Sequence, residues 1–483
     1  MIDIIIGRKE AKYLLIALTC GIINMLFSNN LYIELFFVGV QVIFVVYYIL
    51  KNQIDNAIGL FTIFLSMSFE YSYTVGDFYG LKSFRFVGIT IAVWIVFLFL
   101  LHSIFHSERY IMRSYQVQSW KKNVLYLNGI ALVMGILMAI FNDNGIVNNA
   151  HFFSAFALEV YTLISLITIP LLVISHYVDK EEVRDKLKCA IIACLVATIL
   201  QQYLSLILGI TGNVTGQAVP KVSSIQLYGP FLMLFFLFPE KKYSRSLTVI
   251  GLLGYIISFK YSQGSGQYLM LFSIPVWMII IALKRKKNDR LILLLGAGMV
   301  LAPIALWILT NGTVAVQYKL EQALAFLNIS SKDWRMLMPM SARVRVEEII
   351  DIFREYFEKP WLILFGKGIM GTIKDHTGYL EASKWALGTS GFSQFEWDAN
   401  LYYSVHETLN KLLLMNGVFG IVVLIKSLTN AIKGSKYSVY IVIGMMWFIW
   451  YWGYSTTISW FGMTCMFVGL SEMNNDEEVS YVR

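Results

Sequence analysis

The stretch SVHETLNKLLLMNGVFG, residues 404–420, passes within a few residues from polar to apolar side chains, and its reading decides the fold. From Leu409 onward it has the composition of a membrane-spanning helix, yet His406 and Glu407 stand at its mouth. On a helical wheel His406 shares a face with Leu409, Leu413, Gly417 and Gly420, and the two glycines predict the close approach of another helix. Glu407 and Lys411 are spaced for an i,i+4 ion pair. The series is not H-E-x-x-H, because Asn410 stands where the second histidine is required, so a zinc protease is unsupported.

Similar apolar blocks recur along the whole chain. They are read as fourteen spans: 11–27, 31–50, 57–75, 85–105, 124–141, 152–177, 189–210, 225–238, 247–259, 268–283, 291–310, 409–425, 437–454 and 456–470. Each approaches the length that crosses a hydrocarbon layer of about 30 Å, although 225–238 and 247–259 are short and invite a tilt or a break. Of the 483 residues 57% are hydrophobic and 14% charged, against about 25% charged in a soluble domain. The fold class expected is therefore all-α, a polytopic helical bundle in a membrane. The first helix is expected to serve as its own signal, since no small-residue cleavage site follows it. Cys20, Cys189, Cys194 and Cys465 all lie in apolar blocks, which favours packing over a disulfide framework or a zinc site.

The net charge of +8 does not point to nucleic acid, because its distribution follows the spans. Lysine and arginine gather in the loops at 106–123, 178–188, 239–246, 284–290 and 426–436, which alternation places on one side together with both termini. The short loops opposite hold only Lys82, Arg85, Lys221 and Lys260. This asymmetry puts both termini in the cytoplasm. Residues 311–408 then form one large external loop, too long for a connector. The organisation expected is a bundle over 1–310, the loop over 311–408, three more spans over 409–470 and a cytoplasmic tail over 471–483.

Within that loop SARVRVEEIIDIFREYFE, residues 341–358, predicts an amphipathic helix with Val346, Ile349, Ile350, Phe353 and Phe357 on its apolar face. Ser341 is a candidate cap and Pro360 a stop. Arg343 lines up with Glu347, Asp351 and Arg354 on the polar face, where a solvated pair with Glu347 competes with a functional role. Arg345 falls with Ile349, Ile352 and Tyr356 at the apolar edge, where a guanidinium needs a partner or an anion; it is the stronger candidate. GKGIMG, residues 366–371, follows a strand-like WLILF and is read as a glycine-rich turn, since no βαβ unit surrounds it. His406 either satisfies polar neighbours at an interface or acts as a general base. Glu34, Glu70 and Glu159 are intramembrane carboxylates, expected to be paired or to line an outward-facing cavity. The aromatic residues of 385–403 suit either stacking on sugars or a membrane-interface belt.

Ser341, Arg343, Arg345, the helix, Pro360, Gly366-Lys367-Gly368, and His406 opening a helix with Gly417 and Gly420, in that order inside one large loop, resemble the bacterial O-antigen polymerase and O-antigen ligase superfamily of GT-C-type membrane glycosyltransferases. The resemblance implies a polymerase joining undecaprenyl-diphosphate-linked oligosaccharide repeat units at the outer face of the cytoplasmic membrane. It implies a carrier-linked donor and acceptor, membrane lipids and a chain-length regulator as partners, and no cofactor or metal. The family's arginine corresponds to Arg345 or Arg343 and its histidine to His406. The stretch YSQGSGQYLM, residues 261–270, lacks the arginine common in relatives, so either Lys260 substitutes there or the role sits elsewhere, and Lys221 stands where relatives often carry an arginine. Lysine keeps the charge without the bidentate fork.

The chemistry implied needs cations for a departing diphosphate and a base for the acceptor hydroxyl. Arg345, Arg343, Lys221, Lys260 and Arg85 are the candidates for the first and His406 for the second, with Glu407, Glu159 and Glu70 as substrate-binding carboxylates. An O-antigen ligase uses nearly the same residues. A lipid-linked oligosaccharide flippase is the non-enzymatic alternative, but two similar halves are not evident.

Overall fold

The computed structural model describes residues 8–69, 80–82, 84–106, 115–214, 217–241, 243–262, 265–296, 338, 340–384, 391–435, 437–450 and 456–471. These residues are mostly helical. Six helices are long and apolar enough to cross a membrane: Leu31–Leu50, Tyr115–Ile140, Ala150–Tyr177, Glu181–Ile207, Gln267–Lys284 and Thr408–Gly434. An all-α membrane protein is what these helices define. Their surfaces agree: on Leu31–Leu50 the residues Tyr32, Phe36 and Ile43 are exposed while Glu34 and Gln41 are buried, the reverse of a water-facing helix.

The chain divides into two compact units. The first comprises residues 1–121, 165–294 and 430–483. In it α1 (Arg8–Phe27) and α2 (Ile54–Ser66) pack on α3 (Glu181–Ile207), and α4 (Val439–Met445) packs on α5 (Thr456–Ser471). Trp460, Phe61 and Phe99 form an aromatic centre, with the Trp460 indole N–H donating to the Thr62 hydroxyl at 3.0 Å. Three expected spans differ. The helix after Gln53 ends at Ser66, and residues 70–79 lie outside the described set. The span at 85–105 opens with a two-residue antiparallel hairpin, Arg85–Phe86 with Ile89–Thr90, before its helix Ile91–Phe105 begins. The short block at 225–238 is a 3-10 helix, Gln226–Leu237, with Pro230 inside, where proline removes a backbone donor. Most of the expected span 291–310 lies outside the described residues.

The second unit comprises residues 122–164 and 295–429. Its loop helix runs Met340–Glu358, close to the sequence expectation, and ends two residues before Pro360. WLILF is not a strand: Leu362–Phe365 is a single helical turn. Ile352, Tyr356, Leu362, Ile373, Leu380, Leu413 and Leu414 share one apolar cluster with Met134 and Met138.

The helix Thr408–Gly434 is broken at Gly417, whose backbone is left-handed in φ (64°) with ψ at −172°. A break frees carbonyls that a continuous helix would satisfy. Three consecutive ones are taken up by the loop. The Tyr356 hydroxyl donates to Leu413 O, Lys367 N–H to Leu414 O at 2.6 Å, and Gly368 N–H to Met415 O at 3.0 Å. Ile369 N–H then donates to Ala131 O at 2.8 Å. GKGIMG is therefore a glycine-rich turn wedged between two apolar helices. A Cβ on Gly368 would lie 2.1 Å from Gly135 N, and one on Gly417 would lie 2.6 Å from the carbonyl oxygens of Ile363 and Leu364.

Alanine at Gly368 or Gly417 is thus expected to cost about 2–5 kcal/mol, from overpacking and the left-handed backbone together. Alanine at Gly378, also left-handed but with open space around it, is expected to cost only about 1–2 kcal/mol. Thermal unfolding of the detergent-purified full chain checks this; equal losses at Gly368 and Gly378 would refute the wedge.

Candidate functional site

The loop helix turns its acidic face inward. Glu347, Glu348 and Asp351 are 0% exposed and Glu355 is 8% exposed, whereas Phe353 and Phe357 face outward. This corrects the expected orientation, in which the carboxylates were solvated and the phenylalanines packed. Burying four carboxylates is costly unless each finds donors, and the partners identify the site.

Glu348 has the densest set. Its carboxylate accepts from the His406 backbone N–H at 3.1 and 3.2 Å, from His406 Nδ1 at 2.6 Å and from Asn410 Nδ2 at 2.7 Å. His406 does not lie on the long helix, which begins at Thr408, so it shares no wheel face with Leu409. Its orientation is set by Glu348 and by Phe392, whose ring meets the imidazole edge-on at 4.9 Å. In the tautomer that donates Nδ1–H to the Glu348 carboxylate, the lone pair of the imidazole is at Nε2. That nitrogen is buried and has no hydrogen-bond partner among the described residues.

Glu407 and Lys411 do not pair with each other. Glu407 takes Arg345, with Nε 2.5 Å from Oε1, because the turn preceding Thr408 carries Glu407 off the helical path. Lys411 takes Glu159 from the helix Ala150–Tyr177 and also donates to Tyr403 O at 3.2 Å. The other Glu159 oxygen accepts the Met370 backbone N–H at 2.6 Å. Arg343 lies 3.8 Å from Glu347 and stacks on Tyr379, with Cζ 3.3 Å from the ring centroid. Asn410 links the two halves, since its Nδ2 also donates to Arg345 O at 3.0 Å.

Further along the helix, Lys367 pairs with Glu355, whose other oxygen accepts the Lys374 N–H at 2.8 Å. Among the described residues Asp351 accepts only the His376 N–H, through Oδ1 at 3.3 Å, and its Oδ2 is buried without a partner. Burial, reinforced by Asp375, lifts its carboxyl from the usual 3.8 to about 7. In the aromatic segment the described residues give Phe395 stacked on His151 at 4.0 Å and Tyr403 within 3.4 Å of His151 Nε2.

The second unit thus holds His406, Arg345, Arg343, Glu407 and Glu159. Lys221, Lys260 and Arg85 belong to the first. Lys221 is buried there and bonds Ser28 Oγ at 3.0 Å, Lys260 lies over the Tyr261 ring, and Arg85 is exposed on its hairpin. Glu70 and the side chain of Ser341 lie outside the described residues. Glu348 was missed. The argument that singled out Arg345 at the apolar edge applies equally to a carboxylate three positions on, and would have found it.

Fold and site together define a helical membrane protein in which a loop helix and the mouth of a span build one polar network. Compared with family models, with curated proteins and with solved structures, the chain matches none.

The fold favours neutral Asp351, so its stabilising contribution is complete below 3.8 and is lost as pH rises through about 7. Asp351→Asn keeps an acceptor for His376 N–H and removes the titration. Its melting temperature is expected to vary less between pH 5 and 8 than that of the unmodified chain and to exceed it above pH 7. Parallel pH profiles for the two proteins would refute this.

Proposed function

We propose that the chain is a polysaccharide polymerase that joins undecaprenyl-diphosphate-linked oligosaccharide repeat units, spanning a bacterial cytoplasmic membrane about fourteen times with both termini in the cytoplasm. The observation that carries this reading is the Glu348–His406 pair, which leaves a buried imidazole nitrogen without a partner among the described residues, next in sequence to Glu407, which holds Arg345. In the proposed reaction the acceptor hydroxyl oxygen attacks the anomeric carbon of the donor. The bond from that carbon to the diphosphate oxygen breaks, and the hydroxyl proton passes to His406 Nε2. The imidazolium so formed is stabilised by Glu348, and the charge of the departing diphosphate by Arg345 and Arg343. A single displacement of this kind inverts the anomeric centre and uses no metal. Glu407 holds Arg345 in place until substrate arrives. Lys221, Lys260 and Arg85 are the further diphosphate candidates, and Glu159 and Glu70 the carboxylates for sugar hydroxyls.

Loss of a positioned base costs about 10²–10⁴-fold. In cells making the polymer, His406→Ala and Arg345→Ala are each expected to replace long chains by single repeat units on the final acceptor. Glu348→Gln, which no longer fixes the imidazole tautomer, should fall in the same range. Long carrier-linked polymer that is never transferred would instead assign a ligase. Unchanged polymer with well-expressed His406→Ala protein would remove His406 from the site.

A further inference from the structure

The loop helix Met340–Glu358 buries Val344, Ile352 and Tyr356 but leaves two of its phenylalanines on the outside. Phe357 is 75% exposed and Phe353 36%, and the turn that follows exposes Trp361 at 45% and Leu364 at 53%. Helices in water expose their charges and bury such residues. Here the carboxylates at 347, 348, 351 and 355 are the buried ones.

Contacts within the same unit fix where this face lies. Arg345 and Tyr356 are eleven residues apart, about 16 Å along a helix. Arg345 O meets Asn410, and the Tyr356 hydroxyl meets Leu413 O. Those two partners are three residues apart, about 5 Å along the helix Thr408–Gly434. The loop helix therefore crosses the mouth of that span instead of running beside it. Its far end is tied down as well, since Lys359 Nζ lies 2.5 Å from Asp143 Oδ2. Asp143 follows the end of the helix Tyr115–Ile140, another candidate span, whose last apolar residues, Ile140 and Phe141, are exposed. The end of the loop helix that carries Phe357 thus lies beside the exposed apolar end of that span.

We propose that this face is a membrane-contacting surface, with Phe353, Phe357 and Trp361 seated among the acyl chains of the surrounding bilayer just below the headgroups. A helix lying in the interface buries its apolar face about 5–10 Å into that boundary. The loop helix is accordingly not a solvated element of an external domain. The lipid holds it from outside while the carboxylate network holds it from within. The proposal is independent of the polymerase reading.

The test is nitroxide accessibility in the full-length protein, reconstituted in vesicles of phosphatidylethanolamine and phosphatidylglycerol. Cys20, Cys194 and Cys465 are buried, so a Cys189→Ala background suffices for labelling. Single cysteines replace Phe353, Phe357 and Glu358 in turn. Labels at 353 and 357 are expected to collide with oxygen several-fold more, relative to a water-soluble nickel chelate, than the label at 358. Chelate access at 357 equal to that at 358 would place the face in water and overturn the proposal. Low access to both agents at 353 and 357, with spin–spin broadening between labels, would show a second copy there and overturn it too.

Discussion

Hydrocarbon offers no hydrogen bonds, so a break in a membrane helix persists only where other protein groups serve the freed backbone. At Gly417 that service comes from the loop. The carbonyls of Leu413, Leu414 and Met415 are met by Tyr356, Lys367 and Gly368. The rest of the second unit follows from this requirement. The turn at 366–371 must reach the break, so it carries glycines where two helices leave no room for Cβ. The loop helix must lie close enough for Tyr356 to donate, which carries its acidic face onto the residues preceding Thr408. The site is the by-product of repairing one backbone interruption.

Charge follows the same logic. Four buried carboxylates on one helix would unfold it if left alone. Each is assigned a different segment: Glu347 to Arg343, Glu348 to His406 and Asn410, Asp351 to His376, Glu355 to Lys367 and Lys374. The pairing fixes the register of the loop as well as its stability. Asp351 is the under-supplied member, and burial accordingly moves its carboxyl toward neutrality.

The sequence made the coarse architecture legible because hydrophobic length is a one-dimensional property. Leu31–Leu50 agrees with its reading residue for residue. The loop helix was legible in extent but not in orientation. Periodicity reports which residues share a face, not which face meets protein and which meets something else. Pairings failed for a related reason. Glu407 and Lys411 have the right spacing for each other, but the helix starts one residue too late, and each found a partner distant in sequence. Glu348 carries the same apolar-edge signal as Arg345, but adjacent glutamates on an amphipathic helix ordinarily face water; here Glu347 and Glu348 are both enclosed.

Asn410 has a consequence of its own. One carboxamide nitrogen spends its two hydrogens on the Arg345 main chain and on Glu348. The main chain of Arg345 and the carboxylate that orients the imidazole thereby share one contact atom. Neither drifts alone, so substitutions at the two ends of this bridge should combine non-additively, and a change of spacing on one side must be matched on the other.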